Sequence, residues 1–345
     1  MAIEASSVEE TFTIMQRKLS KLVPEVELRI KAELVYEINR LKKERGAIIL
    51  GHNYMEAALF HTVPDVVGDS LELSRRAALT DCDPIIFCGV RFMAETAKIL
   101  NPSKTVLLPA RVAGCSLAES ITAEDVRKLK AQFPGVPVVS YINTYADVKA
   151  ESDYICTSGN AARLVASLQS DTVIFLPDKY LAANVAKETG KKILYPTPTT
   201  TQQSGNVMIG WRGVCEVHDR FTVEDIQNVR KQFPDVEVLA HPECSPEVVA
   251  ASNFSASTSK MVDFVKTSTA PHFLLMTECS MADNIIAENP DKDVLRLCSV
   301  RCPHMNEITL EDTLNALRNN QQVIDVPEDI RVRAKTALDR MLAVA

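Results

Sequence analysis

Residues 122–143, TAEDVRKLKAQFPGVPVVSYIN, return 100 positions later as residues 222–243, TVEDIQNVRKQFPDVEVLAHPE. Eight of the 22 aligned positions are identical, where unrelated segments share about one or two, so the chain carries an internal repeat. A cysteine stands seven residues before each copy, at Cys115 and Cys215. The opening recurs once more near the C-terminus, where Cys302 precedes Thr309-Leu310-Glu311-Asp312 by the same seven residues. A chain built this way folds as copies of one unit. Three cysteines at one repeat position point to three equivalent places around a pseudo-threefold axis, with one object held by all three.

The repeat unit is α/β. Apolar runs alternate with segments of helical periodicity: AIILGHNY, PIIFCG, TVLLPA, VPVVSYIN, TVIFLP, KKILYPT, VEVLAHPE, HFLLMTEC and DVLRLCS. That alternation predicts parallel sheets with helices on both faces. Three strands end in a polar triplet: His52-Asn53-Tyr54, Tyr141-Ile142-Asn143 and His241-Pro242-Glu243. Each is followed by a hydroxyl-bearing helix start, with Ser70, Ser158 and Thr258. The expected fold is therefore three pseudo-equivalent three-layer αβα domains: 1–115, 116–215 and 216–308. Residues 309–345 are expected to pack back on the first. Ligands of such sheets sit at the carboxyl ends of the strands.

Composition narrows the function. A net charge of −7 and 6% aromatic residues argue against a nucleic-acid or anionic-membrane surface. No apolar run approaches the roughly 20 residues that span a bilayer. The polar N-terminus, MAIEASSVEE, resembles neither a signal nor a transit peptide. These features place the protein in the cytoplasm, where nine cysteines are thiols or metal ligands. Cys82, Cys88, Cys156, Cys244 and Cys279 lie in or beside apolar runs and read as packing. Cys115, Cys215 and Cys302 lie in turn contexts and lack the C-x-x-C spacing of a zinc site. They suit a [4Fe–4S] cluster with one iron left free of protein thiolate. Among the matched polar residues Glu243 is the only carboxylate and the natural general base. Ser70, Ser158 and Thr258 read as helix caps or, jointly, as a ring of donors for carboxylate or phosphate. Asp65, Asp69 and Asp178 read as helix-start acids, and His218 as either a support behind Cys215 or a loop residue. No dinucleotide or Walker loop is present.

These residues resemble those of the quinolinate synthase family, the NadA type. The motifs carrying the resemblance are GHNY (51–54), GDSLELS (68–74), AGCSLAES (113–120), YINTYADVKAESDYICTSGNA (141–161), FLPDKYLAANVA (175–186), GWRGVCEVH (210–218), HPECSPEV (241–248), ASTSKM (256–261) and CPHMNEITLEDTLNAL (302–317). The resemblance implies condensation of iminoaspartate with dihydroxyacetone phosphate to quinolinate, phosphate and water, in NAD biosynthesis. It implies cluster ligands at Cys115, Cys215 and Cys302, and catalytic roles for Glu243, Tyr54 and His241. It implies substrate binding by His52, Ser70, Tyr141, Asn143, Ser158 and Thr258. An unstable iminoaspartate points to an aspartate-oxidising enzyme as a functional partner.

The chain departs from the pattern at Met55, where many members have Gln. It departs again at Arg296 and Ser299, which leave Cys298 out of register for a disulfide switch. A hydro-lyase acting on a hydroxy acid and a non-catalytic iron–sulfur sensor are the alternatives. The sensor leaves the matched His/Tyr/Asn/Glu set without a purpose.

Overall fold

The computed structural model describes residues 2–200, 205–297 and 300–344. Cys298 and Ser299 lie outside them. Three parallel sheets follow one another along the chain. The first contains β1 (Ile48–His52), β2 (Val66–Gly68), β3 (Ile85–Cys88) and β4 (Val106–Leu107), in the order β2-β1-β3-β4. The second contains β5 (Val138–Tyr141), β6 (Tyr154–Cys156), β7 (Thr172–Leu176), β8 (Lys192–Leu194) and β9 (Val207–Gly210), ordered β6-β5-β7-β9-β8. The third contains β10 (Glu237–Ala240), β11 (Phe254–Ser255), β12 (His272–Met276) and β13 (Asp293–Leu295), ordered β11-β10-β12-β13.

The same order thus recurs three times, with β8 added at one edge of the second sheet. The central strands are buried along their lengths, as sheets covered on both faces require. β2, β6 and β11 are short edge strands absent from the run-by-run reading. Two or three residues carry too little periodicity to announce a strand. KKILYPT does not lead to Cys215 either; it forms the outer β8, and β9 fills the inner place.

The repeated T-x-E-D starts have a local cause. Thr122 and Thr222 accept from the amides of Asp125 and Asp225, whose carboxylates return to the Thr backbone. Thr309 accepts in the same way from Asp312 N. Such reciprocal caps satisfy amides that a helix start leaves without intrahelical partners. The capped helices are Ala123–Gln132, Val223–Gln232 and Leu310–Asn319.

The predicted helical region at 8–44 is two helices, Val8–Leu19 and Glu25–Glu44. The C-terminal segment divides its packing between two sheets. Leu310–Asn319 lies against Glu25–Glu44 and β3, beside the first sheet. Glu328–Val344 runs mainly along Ala146–Glu151 and β6 of the second, and touches Arg91–Leu100 of the first. Its buried face, Ala334, Ala337, Leu338 and Met341, is apolar on that side. No helix among the described residues is long and apolar enough to cross a membrane.

Candidate active site

All three polar triplets end a central strand next to its short edge strand, and their residues meet. His52, Tyr54, Ser70, Tyr141, Asn143, Ser158, His241, Glu243, Thr258, Cys115, Cys215 and Cys302 line one cavity, with a free interior of about 70 Å³. The first and third triplets share a local device. Tyr54 N donates to Nδ1 of His52 (3.2 Å), and Glu243 N donates to Nδ1 of His241 (3.3 Å). An Nδ1 that accepts leaves Nε2 carrying the proton, so both imidazoles are neutral donors. Burial keeps them so, holding His52 down to about 4 and His241 to about 3.

The cysteine loops share a device too. The first amide of the helix after each third strand donates to the carbonyl two residues before the cysteine. The pairs are Arg91 N to Ala113 O (2.7 Å), Lys179 N to Gly213 O (2.7 Å) and Cys279 N to Val300 O (3.1 Å). Gly213 has a second constraint. A Cβ there would stand 2.8 Å from the carbonyl oxygen of Pro177 and 2.4 Å from Ser120 Oγ. Burial pushes the thiols up, Cys115 to about 12, Cys302 to about 11 and Cys215 well above its usual value. On their own these thiols stay protonated; they become thiolates only when a cation replaces the protons. Three such groups in one cavity fit a metal group that takes soft sulfur donors. Among the described residues one trio of potential ligands lies close enough to grip a single ion: Cys215, His218 and Glu243, all within 4.8 Å of one another.

A chain of hydrogen bonds crosses the cavity wall. Tyr54 Oη is 2.6 Å from Thr277 Oγ1, which is 3.0 Å from His218 Nε2. His218 Nδ1 lies 2.7 Å from Glu243 Oε2, and Tyr141 donates its phenol proton to Glu243 Oε1 at 2.5 Å. One set of donors makes this self-consistent: Tyr54 to Thr277, Thr277 to His218, and both His218 and Tyr141 to Glu243. The chain ends on the carboxylate. Burial opposes the charge on Glu243, but the bonds donated by the His218 ring and the Tyr141 phenol outweigh it and hold the carboxyl below its ordinary range. Burial, reinforced by that charge, keeps both phenols protonated. His218 also stacks on His241, with centroids 4.7 Å apart, and its Nδ1 is 3.2 Å from Cys215 Sγ. It is therefore a support behind both Cys215 and Glu243.

None of the three hydroxyl residues serves as a helix cap. Asp69 caps Ser70–Leu79, Asn160 precedes Ala161–Ser167, and Ser257 precedes Thr258–Thr267. The Thr258 hydroxyl accepts from Asn53 Nδ2 at 2.9 Å. Asp178 does cap its helix, through Leu181 N. Asp65 does not; it pairs with buried Lys42 at 2.7 Å and accepts from Ile49 N, tying the helix Glu25–Glu44 to β1. Met55 is wholly buried in the core, not presented to the cavity. Cys88, Cys156, Cys244 and Cys279 are buried and Cys82 half-buried, as packing residues are.

Sequence reasoning missed Glu278 and Thr277. Glu278 lines the cavity, accepts from Ser280 N (2.7 Å), and is pushed by burial up to about 7. The signal was present, since Glu278 stands 100 positions after Asp178 and likewise starts a helix.

The pattern defining the NadA family, described as quinolinate synthetase A protein, matches residues 36–343. Quinolinate synthase 2 of Mesorhizobium japonicum is 48% identical over 339 residues, covering 98% of this chain and 100% of that protein. The quinolinate synthase of Sinorhizobium fredii is 49% identical over 328 residues, 95% of this chain and 87% of the relative. That of Xylella fastidiosa is 49% identical over 312 residues, 90% and 86%. With the family pattern spanning nearly the whole chain and near-half identity over the same length, the chain belongs to the quinolinate synthase (NadA) family of NAD-biosynthetic enzymes.

Proposed function

We propose that this chain condenses iminoaspartate with dihydroxyacetone phosphate to quinolinate, releasing phosphate and water, in a cavity at the centre of three domains (1–115, 116–215 and 216–308) arranged about a pseudo-threefold axis. Cys115, Cys215 and Cys302 would hold a [4Fe–4S] cluster. When bound, it supplies a Lewis-acidic iron that polarises a substrate oxygen. The observation that carries this reading is the meeting of three cysteines from three loops with Glu243 at one cavity wall.

The residues divide the remaining work. The neutral imidazoles of His52 and His241 offer Nε2–H donors to carboxylates. Ser70, Ser158, Thr258 and the Asn143 amide supply further donors for carboxylate and phosphate oxygens. Glu243 is ionised and already engaged at both oxygens. A proton released at substrate therefore reaches it through Tyr141 or His218, or directly once substrate displaces one of those bonds. Tyr54, at the far end of the chain, can return a proton to a departing oxygen and be refilled through Thr277 and His218.

Anaerobically purified protein should contain about four iron and about four sulfide ions per chain. It should form quinolinate from the two substrates and lose that activity when air strips the iron. The close trio of Cys215, His218 and Glu243 favours a second reading, a single divalent ion. One metal ion per chain without sulfide would establish it and remove the cluster.

A further inference from the structure

A second cleft opens between the second and third sheets, with about 670 Å³ of free space. It meets the site cavity at Ser158, which lines both. Across from Ser158, Ser257 lines the cleft and the next residue, Thr258, lines the cavity. The two sides come together at Asn184, whose amide donates to Pro242 O at 2.9 Å, and at Gly159, where a Cβ would stand 3.5 Å from Ser257 Cβ and Oγ. The outer wall carries Arg163, Lys187 and Lys260, all exposed, against one acid, Glu188. In a chain of net charge −7, these three cations have no carboxylate partner among the described residues. A second feature lies near the neck. Asn160 is buried, and its Oδ1 accepts from Thr157 N at 2.7 Å. Its amide nitrogen is buried with no hydrogen-bond partner. This donor is sealed behind the wall beside Ser158, so the hydroxyl of Ser158 is the polar group that the neck presents.

We infer that this cleft is the passage by which small carboxylate- and phosphate-bearing anions reach the site. Arg163, Lys187 and Lys260 draw them in, and Ser158, which lines both spaces, receives them at the neck. The inference rests on the proposed function, since both substrates and the product are anions. Converging cations above a narrow opening raise association rates by about 10–10³-fold, and salt screens the effect.

The test is stopped-flow association of quinolinate with cluster-loaded protein over a range of ionic strength, beside steady-state turnover of dihydroxyacetone phosphate. A triple variant, Arg163→Glu with Lys187→Glu and Lys260→Glu, changes only exposed side chains. We expect its association rate at low salt to fall at least about 10-fold, converging with the parent at high salt, with kcat unchanged. Gly159→Phe should slow association to a similar degree at every salt concentration, whereas Gly159→Ala, whose Cβ meets only ordinary contacts, should not. Parental rates and parental salt dependence in the triple variant would overturn the passage, as would a folded, cluster-bearing Gly159→Phe with unchanged association. Failure of the parent protein itself to bind quinolinate would instead remove the proposed function, and the passage with it.

Discussion

The second and third sheets carry the same unit 100 residues apart, yet they bring opposite chemistry to the cavity. The third ends β10 with a neutral imidazole and an ionised carboxylate. The second ends β5 with a phenol and an amide. The props differ accordingly. In the third, the His241 ring itself accepts the amide of Glu243 and stiffens the turn. In the second, buried Lys149 donates to the carbonyls of Ile142 and Thr144, on either side of Asn143. At the matching position of the third stands Val249. The helix-start acids diverge as well. Glu278 is bonded by Ser280 N and Cys302 N, while Asp178 has one oxygen buried without a partner. The repeat fixes where a side chain arrives, and its neighbours decide what charge it bears.

The cysteines test the half of this contrast in which the units agree. Cys115→Ser, Cys215→Ser and Cys302→Ser should each abolish both the cluster absorbance and quinolinate formation, while Cys156→Ser, in the core, keeps the absorbance. A full cluster in any of the first three would break the equivalence of the loops.

Glu243 tests where the units differ. Glu243→Gln preserves size but not basicity, so single-turnover quinolinate formation should fall by about 10²–10⁴-fold with the cluster spectrum intact. Turnover near the parent's would make Glu243 a positioning group.

Lys149 sharpens the contrast between props. Lys149→Met takes the ammonium from the Thr144 carbonyl and leaves the Ile142 carbonyl with Thr144 N alone, and should cost about 1–3 kcal/mol in urea unfolding. An unchanged unfolding midpoint would mean the second turn needs no prop.

The smallest effect belongs outside the site. Burial, with Lys18 adding to it, holds His61 down to about 3; neither ring nitrogen has a hydrogen bond, and Nδ1 lies 3.8 Å from Glu288 Oε1. The unfolded chain therefore takes up this proton first. The stability involved is complete above pH 6.5 and is lost as pH falls from there toward the folded value. His61→Phe should make stability fall less steeply across that window, as read from denaturant midpoints. A slope equal to the parent's would assign acid sensitivity to His52 and His241 instead.

Much of this was legible in residues alone, because a repeat exposes position without any knowledge of contacts. The alternation of runs indicated parallel α/β units, and the first and last residues of each matched triplet line one cavity with the three cysteines. Distance between elements was not legible. His218 is an ordinary loop residue until Glu243, a distant neighbour in sequence, arrives 2.7 Å away. Thr277 joins the chain only because β12 lies beside β10. Charge was hidden for the same reason. Glu243 and Glu278 are the same residue type, yet one is held low by the bonds that His218 and Tyr141 donate and the other lifted by burial.

The thrice-used bond from a helix-start amide to the carbonyl ahead of each cysteine is made wholly by main chain. A change of side chain at Arg91, Lys179 or Cys279 therefore leaves this bond itself standing, whatever else it alters. Proline is the exception. Each site is the first residue of a helix, after an extended neighbour, where proline is otherwise well tolerated. An imino acid there deletes that donor together with the local side-chain contact, at Arg91 the pair with Glu95, so each cysteine loop can be loosened separately with its thiol still in place.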